Sequence, residues 1–345
     1  MKEMKRGQVL VLNRQECKSL ITEEEVAVLV EQVLADYSNG DVINPIKGHM
    51  PFYPDHNSYL NAMPSWIKNK GVAGIKWAGQ GEDNPAKYGF PQCTSSIILN
   101  DPETALPFAF MEGTDIMSMR TGAAAAVMAK YCAKKDSKVV TIIGAGVQGT
   151  SGFHMLMITM PHLKEIHVVD IRQEAVARFI KDGQARYPDL VFKGFTDIQQ
   201  AVDGSDIVLT AAHSAGSSGE GILDDVKFHK GLTLVTISGG LSIYKVRDRC
   251  DRSVLDFIDC YIFRMNATRG YMKELYNIDR PELTRAVADA EIGDVITGKA
   301  KGRLSDDQIV FAAGIGMSIE DLVVAEVVFR RAREKDMGKV VDFIN

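Results

Sequence analysis

The stretch Val139-Val-Thr-Ile-Ile-Gly144-Ala-Gly146-Val-Gln-Gly149 joins an apolar, β-branched run to a G-x-G-x-x-G turn, with helix-forming sequence beyond it. Each glycine in this order has a mechanical task. Gly144 turns the chain tightly, Gly146 lets backbone approach a pyrophosphate, and Gly149 brings the helix against the strand. The helix then aims its unpaired N–H groups, those of Val147 and Gln148 first, and its positive dipole end at the phosphates. A glycine-rich turn alone is also an ordinary strand-to-helix connection, so its context decides. The next strand-like run, Ile166-His-Val-Val-Asp170, ends on an acid about 20 residues past the last glycine, where a carboxylate accepts hydrogen bonds from ribose hydroxyls. Strand, turn, helix, strand and acid in sequence predict a dinucleotide site. Asp170 favours NAD by repelling a ribose 2′-phosphate, while Arg172 can pair with such a phosphate and keeps NADP open.

Outward from this turn, strand-like runs alternate with helical ones: Val139 to Ile143, Ile166 to Asp170, the helical Gln173 to Arg186, Asp206 to Ala211 and Leu232 to Ser238. The alternation predicts an α/β Rossmann domain, a doubly wound parallel sheet, with Ala211 at the carboxyl edge where ligands bind. Upstream the pattern differs. Gln8 to Leu12 reads as a strand, and Thr22-Glu-Glu-Glu25 opens a helix with capping-box spacing. Short runs at Tyr59 to Met63, Val72 to Trp77, Ser95 to Leu99 and Leu106 to Met111, separated by turn residues, predict a mostly antiparallel sheet. Ile116 to Lys134 reads as the connecting helix, and Ser318-Ile-Glu-Asp321 repeats the capping pattern before a last helix. The expected division is an α+β first domain and a Rossmann domain, residues 121–314.

Composition narrows the partners. A 345-residue chain, 46% hydrophobic and 25% charged, has length for two cores. A formal net charge of −5, without a basic run flanked by aromatics, argues against nucleic acid. Five scattered cysteines with no C-x-x-C pair read as reduced thiols of a cytosolic protein. Val9 to Leu12 is too short for a signal-peptide core, no run is long enough to span a membrane, and no metal-ligand spacing occurs.

Four stretches then carry a resemblance: Gly74-Ile-Lys76-Trp77; Leu106-Pro-Phe-Ala-Phe-Met-Glu-Gly113 continuing to Met119-Arg120-Thr121-Gly122-Ala123-Ala124; the glycine turn; and Glu291-Ile-Gly-Asp-Val-Ile-Thr-Gly298 with Gly302-Arg303 and Asp306-Asp307. Together they resemble the ornithine cyclodeaminase and mu-crystallin family from about Val9 to the last helix. The resemblance implies that the first domain, residues 1–120 with 315–345, is an α+β substrate and dimerisation domain that recovers the carboxy-terminal helix and joins a homodimer.

Lys76 sits near the end of the apolar strand Val72 to Trp77, where its side chain either snorkels into water or enters a cavity. The resemblance implies the second, with Lys76 as catalytic residue beside the substrate carboxylate or imine. Arg120, read from its helix alone, is a solvated charge or a domain-joining ion pair. The resemblance makes it the substrate-carboxylate ligand, since a guanidinium can form two parallel hydrogen bonds. Pro45-Ile-Lys47 stands where many relatives have Pro-x-Arg, so Lys47 keeps the charge of a second anchor without its fork geometry. Phe311-Ala-Ala-Gly314-Ile-Gly316 replaces Ser-Thr-Gly-Leu, and Gly314 is the expected close contact with the nicotinamide. The loop His213 to Gly221 is either a surface loop or a lid. Ile237-Ser-Gly239-Gly240-Leu241 puts leucine where cyclodeaminases carry an aspartate, with Asp248 as a nearby acid that could compensate. These readings imply an NAD(P)-dependent oxidoreductase exchanging hydride with Cα of a small amino or imino acid. The alternatives are an ornithine cyclodeaminase and a non-catalytic, crystallin-like NAD(P)-binding protein.

Overall fold

In the strand Val72–Gln80 the residues Val72, Lys76, Ala78 and Gln80 are buried, while Trp77 stands exposed on the opposite face. This period of two, repeated in Ser58–Ile67 and Cys93–Asn100, gives the first sheet one covered face. The computed structural model describes residues 4–53, 58–212, 221–237, 245–267 and 282–344. It divides into two compact units, Met1–Arg120 with Met317–Asn345, and Thr121–Gly316.

In the first unit the strand order is Lys339–Asp342, Gln8–Leu12, Pro107–Glu112, Cys93–Asn100, Val72–Gln80, Ser58–Ile67 and Val42–Ile43, with Gly48–Tyr53 also paired to Ser58–Ile67. All pairs are antiparallel except Gln8–Leu12 with Pro107–Glu112. The helix Ser318–Glu334 lies across three central strands and against the helix Glu23–Ser38. Thr22 caps the latter as expected: its Oγ1 accepts from Glu25 N at 3.3 Å, and Glu25 Oε2 accepts from Thr22 N at 3.0 Å.

The capping expected of Ser318-Ile-Glu-Asp321 is corrected. Ser318 is already helical, and its Oγ donates to Asn44 Oδ1 and to the Pro64 carbonyl oxygen. Glu320, not Asp321, reaches back to the Met317 N–H. The first turns of this helix are buried on every side from Ser318 to Ala325, so its two acids have been taken out of water.

The second unit is an eight-stranded sheet, parallel throughout, in the order Val191–Phe195, Glu165–Val169, Val139–Ile143, Ile207–Thr210, Thr233–Thr236, Val310–Ala313, Arg252–Leu255 and Ala290–Glu291. Successive strands run outward in one direction from Val139–Ile143 and then resume on its other side at Ile207–Thr210. The carboxyl end of Val139–Ile143 is therefore the topological switch point, the place where open α/β sheets bind ligands. Among the described residues no helix is long and apolar enough to cross a membrane.

Candidate active site

Lys76 is 1% exposed, so burial rather than snorkelling holds, and it lies mid-strand because pairing continues to Gln80. An ammonium cannot stay charged there without a partner. Its Nζ donates to Asp321 Oδ2 at 2.9 Å. Arg120, 6% exposed and inside the helix Thr114–Cys132, donates from Nε to Asp321 Oδ1 at 3.1 Å and from Nη1 to Glu320 Oε2 at 2.6 Å. Two cations on a strand and a helix thus share two buried acids of the last helix. Glu320 and Asp321 were not singled out in the sequence, where the S-x-x-D spacing masked them as capping residues.

This arrangement sets the protonation chemistry. Burial, with the Arg120 charge beside it, lowers the Lys76 pKa to about 8, although Asp321 pulls it the other way. Burial also opposes the Arg120 charge, but Asp321 and Glu320 outweigh it and raise that pKa. Arg120 therefore stays cationic, while Lys76 can hold or release a proton near neutral pH. The Nη2 edge of Arg120 makes no hydrogen bond among the described residues, which leaves one side of its fork for an incoming anion.

Lys47 is also buried, at 7% exposure. It precedes Gly48, whose register partner is Ala62, so Lys47 comes level with Met63, and Met63 pairs with Lys76. Residues on one such row share a face. Strand spacing then separates the Lys47 and Lys76 backbones by roughly 10 Å. The structure thus places Lys47, Lys76 and Arg120 in the first unit with two acids, and the buried groups sum to one positive charge.

In the second unit the glycine turn has the geometry of a phosphate cradle. Gly144 has φ +100° and a side chain there would strike Ala211 and Ala212, while a methyl group on Gly149 would come within 1.8 Å of the Gly144 oxygen. A methyl group on Gly146 meets nothing within 4 Å among the described residues. Among the described residues the helix Val147–Thr159 has no side-chain cap, Val147 is exposed, and Gln148 Oε1 is buried without a hydrogen-bond partner. Asp170 follows the strand Glu165–Val169, where its Oδ2 accepts from Ala145 N at 2.8 Å and its Oδ1 from Arg172 N at 2.9 Å. The Arg172 side chain lies 3.6 Å from Asp170 Oδ1. Ala211 N donates to the Ile143 oxygen at 2.8 Å, which fixes the edge beside the turn. An open cradle, an uncapped helix start and a carboxylate at the second strand end fit a dinucleotide.

Other readings change or fall outside the described residues. Gly314 has a packing reason for its missing side chain: a Cβ there would lie 3.3 Å from Met128 Cε and 3.4 Å from Asp256 Oδ2. Asp256, buried and unnoticed in the sequence, accepts from Gly316 N at 2.6 Å and from Phe257 N at 2.7 Å. Asp248 is corrected: its side chain is exposed and pairs with neighbouring Arg247 at 3.4 Å, too well hydrated to replace a buried base. Leu241 and His213 lie outside the described residues.

Comparison with known proteins agrees with this organisation. The model of the ornithine cyclodeaminase/mu-crystallin family matches residues 8–336. N-((2S)-2-amino-2-carboxyethyl)-L-glutamate dehydrogenase of Staphylococcus aureus is 30% identical over 90% of this chain and 91% of its own length. Among solved structures, Δ1-pyrroline-2-carboxylate reductase of Thermococcus litoralis, in complex with NADH and L-proline, superposes with a TM-score of 0.78 at 26% identity, covering 96% of this chain and 99% of that one. An archaeal alanine dehydrogenase dimer with bound NAD gives 0.81 at 27% identity, covering 98% and 100%.

Proposed function

This chain belongs to the ornithine cyclodeaminase/mu-crystallin family, and we propose that within it the protein is an NAD-dependent oxidoreductase moving hydride to or from Cα of a small amino or imino acid. The observation that carries this reading is the buried Lys76, whose ammonium is brought near neutral pKa beside a guanidinium with one open edge. The open edge of Arg120, with Lys47, holds the substrate carboxylate. Lys76 donates a proton at the reacting nitrogen when an imine is reduced and takes it back when an amine is oxidised. Asp321 keeps that ammonium directed by holding one of its three hydrogens.

Bound NAD supplies the hydride donor or acceptor. Gly144, Gly146, Gly149 and the N–H groups of Val147 and Gln148 hold its pyrophosphate, and Asp170 its ribose. Arg172, already paired with Asp170, leaves NADP as the weaker ligand. The first unit is read as the substrate and dimerisation domain of a homodimer, and the free thiols suit a cytosolic enzyme.

The test is a panel of 2-oxo acids with ammonia or amines, together with cyclic imines, followed by NADH absorbance. Turnover with at least one, abolished in Lys76→Ala while NADH still binds, supports the reading. Tight NADH binding without oxidation by any of them would defeat it. Ammonia released from ornithine without net cofactor reduction would assign the cyclodeaminase reaction instead.

A further inference from the structure

Lys76 and Arg120 are joined through one carboxylate. Asp321 accepts from Lys76 Nζ on Oδ2 at 2.9 Å and from Arg120 Nε on Oδ1 at 3.1 Å, and Arg120 Nη1 donates on to Glu320 Oε2 at 2.6 Å. Arg120 keeps 7% of its side chain exposed, against 1% for Lys76 and 0% for both acids, so an anion arriving from water meets the guanidinium first. The ionisable groups facing Lys76 are thus Glu320 and Asp321 from the last helix and Arg120 from the helix Thr114–Cys132. From the sheet come Lys47 on the same row, with His49 and Cys93 further along that face. Burial raises the Cys93 thiol pKa, so this group stays uncharged.

Lys76, Arg120, Glu320 and Asp321 cancel when Lys76 is protonated, and the buried Lys47 leaves one positive charge over. Releasing the Lys76 proton brings the free enzyme to neutrality. A carboxylate bound at Arg120 reverses this, because the cluster is then neutral only if Lys76 keeps its proton. A net charge in a buried cluster is costly, so each state is drawn to neutrality. Lys47 counts equally in both, and the direction of the change depends only on the added anion. The field on Lys76 acts the same way: burial first, then the Arg120 charge, bring its pKa down to about 8, and an anion on Arg120 offsets the second of these.

We propose that binding of the substrate carboxylate to Arg120 draws a proton from water onto Lys76 Nζ, so that the substrate itself sets the lysine as an acid. Nζ gains the proton, water or buffer loses it, and the carboxylate is held unaltered. This rests on the roles given to Arg120 and Lys76 above and adds how one controls the other. A unit charge on the order of 7 Å away, at an effective dielectric constant near 20, moves the pKa up by about one to two pH units. An imino acid whose carboxylate is its one charge then meets a protonated lysine even above pH 8. The amino acid, a zwitterion without net charge, leaves the lysine closer to its free-enzyme state, ready to take a proton.

The test is calorimetry of pyruvate and 2-oxoglutarate binding to the NAD-loaded enzyme, without ammonia, in two buffers of unlike ionisation heat. At about pH 8.5 a bound 2-oxo acid should take up about half a proton per site, and pyruvamide, which has no carboxylate, none. Lys76→Met should bind the acid without uptake. In single-turnover NADH oxidation at saturating imine, the high-pH limb should lie about one to two pH units above the limb in kcat/KM. Binding without proton uptake, uptake that persists in Lys76→Met, or coincident limbs overturn the proposal and leave hydride transfer standing. If neither 2-oxo acid binds, or no imine is turned over, the underlying reading fails instead.

Discussion

Two glycines of one turn separate folding from binding at the scale of single residues. A methyl group on Gly149 collides with the Gly144 oxygen, so Gly149→Ala must push the helix off the sheet. It should lower the melting temperature and lose NADH binding together. A methyl group on Gly146 meets no atom of the described residues within 4 Å and would occupy the space proposed for phosphate. Gly146→Ala should therefore melt within a few degrees of the parent while its NADH Kd, measured by fluorescence, rises by roughly tenfold or more. Equal thermal losses in the two variants would contradict this assignment. Lys76 permits a second separation. With its pKa near 8, imine reduction should fall as pH rises through that value, because the proton is lost, and amine oxidation should rise. Asp321 raises this pKa, so Asp321→Asn should move both limbs to lower pH. Unchanged limbs in the variant would show that Lys76 is not the titrating group.

Elements were legible in the sequence where burial imposes a clean period. The strand Val139–Ile143 and the helix Gln173–Arg186 follow their apolar patterns residue for residue. Val191–Phe195 escaped notice because it is an edge strand, largely exposed, carrying Lys193 and Gly194. Arg252–Leu255 and Ala290–Glu291 are too short to show a period. The last helix hid most: long-range pairing across 245 residues decides what Asp321 does, and no local spacing announces it. The same helix yields an acid-stability prediction. Arg331 pairs with both oxygens of Glu25 and holds that carboxyl at about 2, below its ordinary 4.5. Because the folded pKa is the lower one, this contribution is complete above about 4.5 and disappears as pH falls toward 2. The pair is partly exposed, so Glu25→Gln should cost only about 1 kcal/mol at neutral pH. In urea titrations the difference from the parent should shrink below pH 4.5, and a difference that persisted at the lowest pH would exclude the ion pair as its source.

At the scale of the whole molecule, the uncovered side of the first sheet is the face on which the proposed homodimer would form. Strand register aligns Val11, Phe110, Ile98 and Ile75 in one row across four strands, and Trp77 and Trp66 stand on the same face. Trp66, Trp77 and Phe110 remain about two-fifths exposed, an apolar concentration that a lone globular surface rarely leaves in water. A second copy laid on this face by twofold symmetry would cover each of these side chains twice, once per protomer. Stable interfaces of this kind bury about 800 Å² on each partner, an area that a sheet of eight strands can provide. The symmetry also doubles the damage of a charge. Phe110→Glu puts two carboxylates into one desolvated interface, where neither has a counter-ion. The parent should sediment as a dimer and Phe110→Glu as a monomer. Because Phe110 lies in the unit that lacks the glycine turn, the variant should still bind NADH with the parent's affinity. A monomeric parent would remove the face from consideration. A variant that stayed dimeric would move the interface to another surface, since no packed sheet face can absorb two unpaired charges at its centre without coming apart.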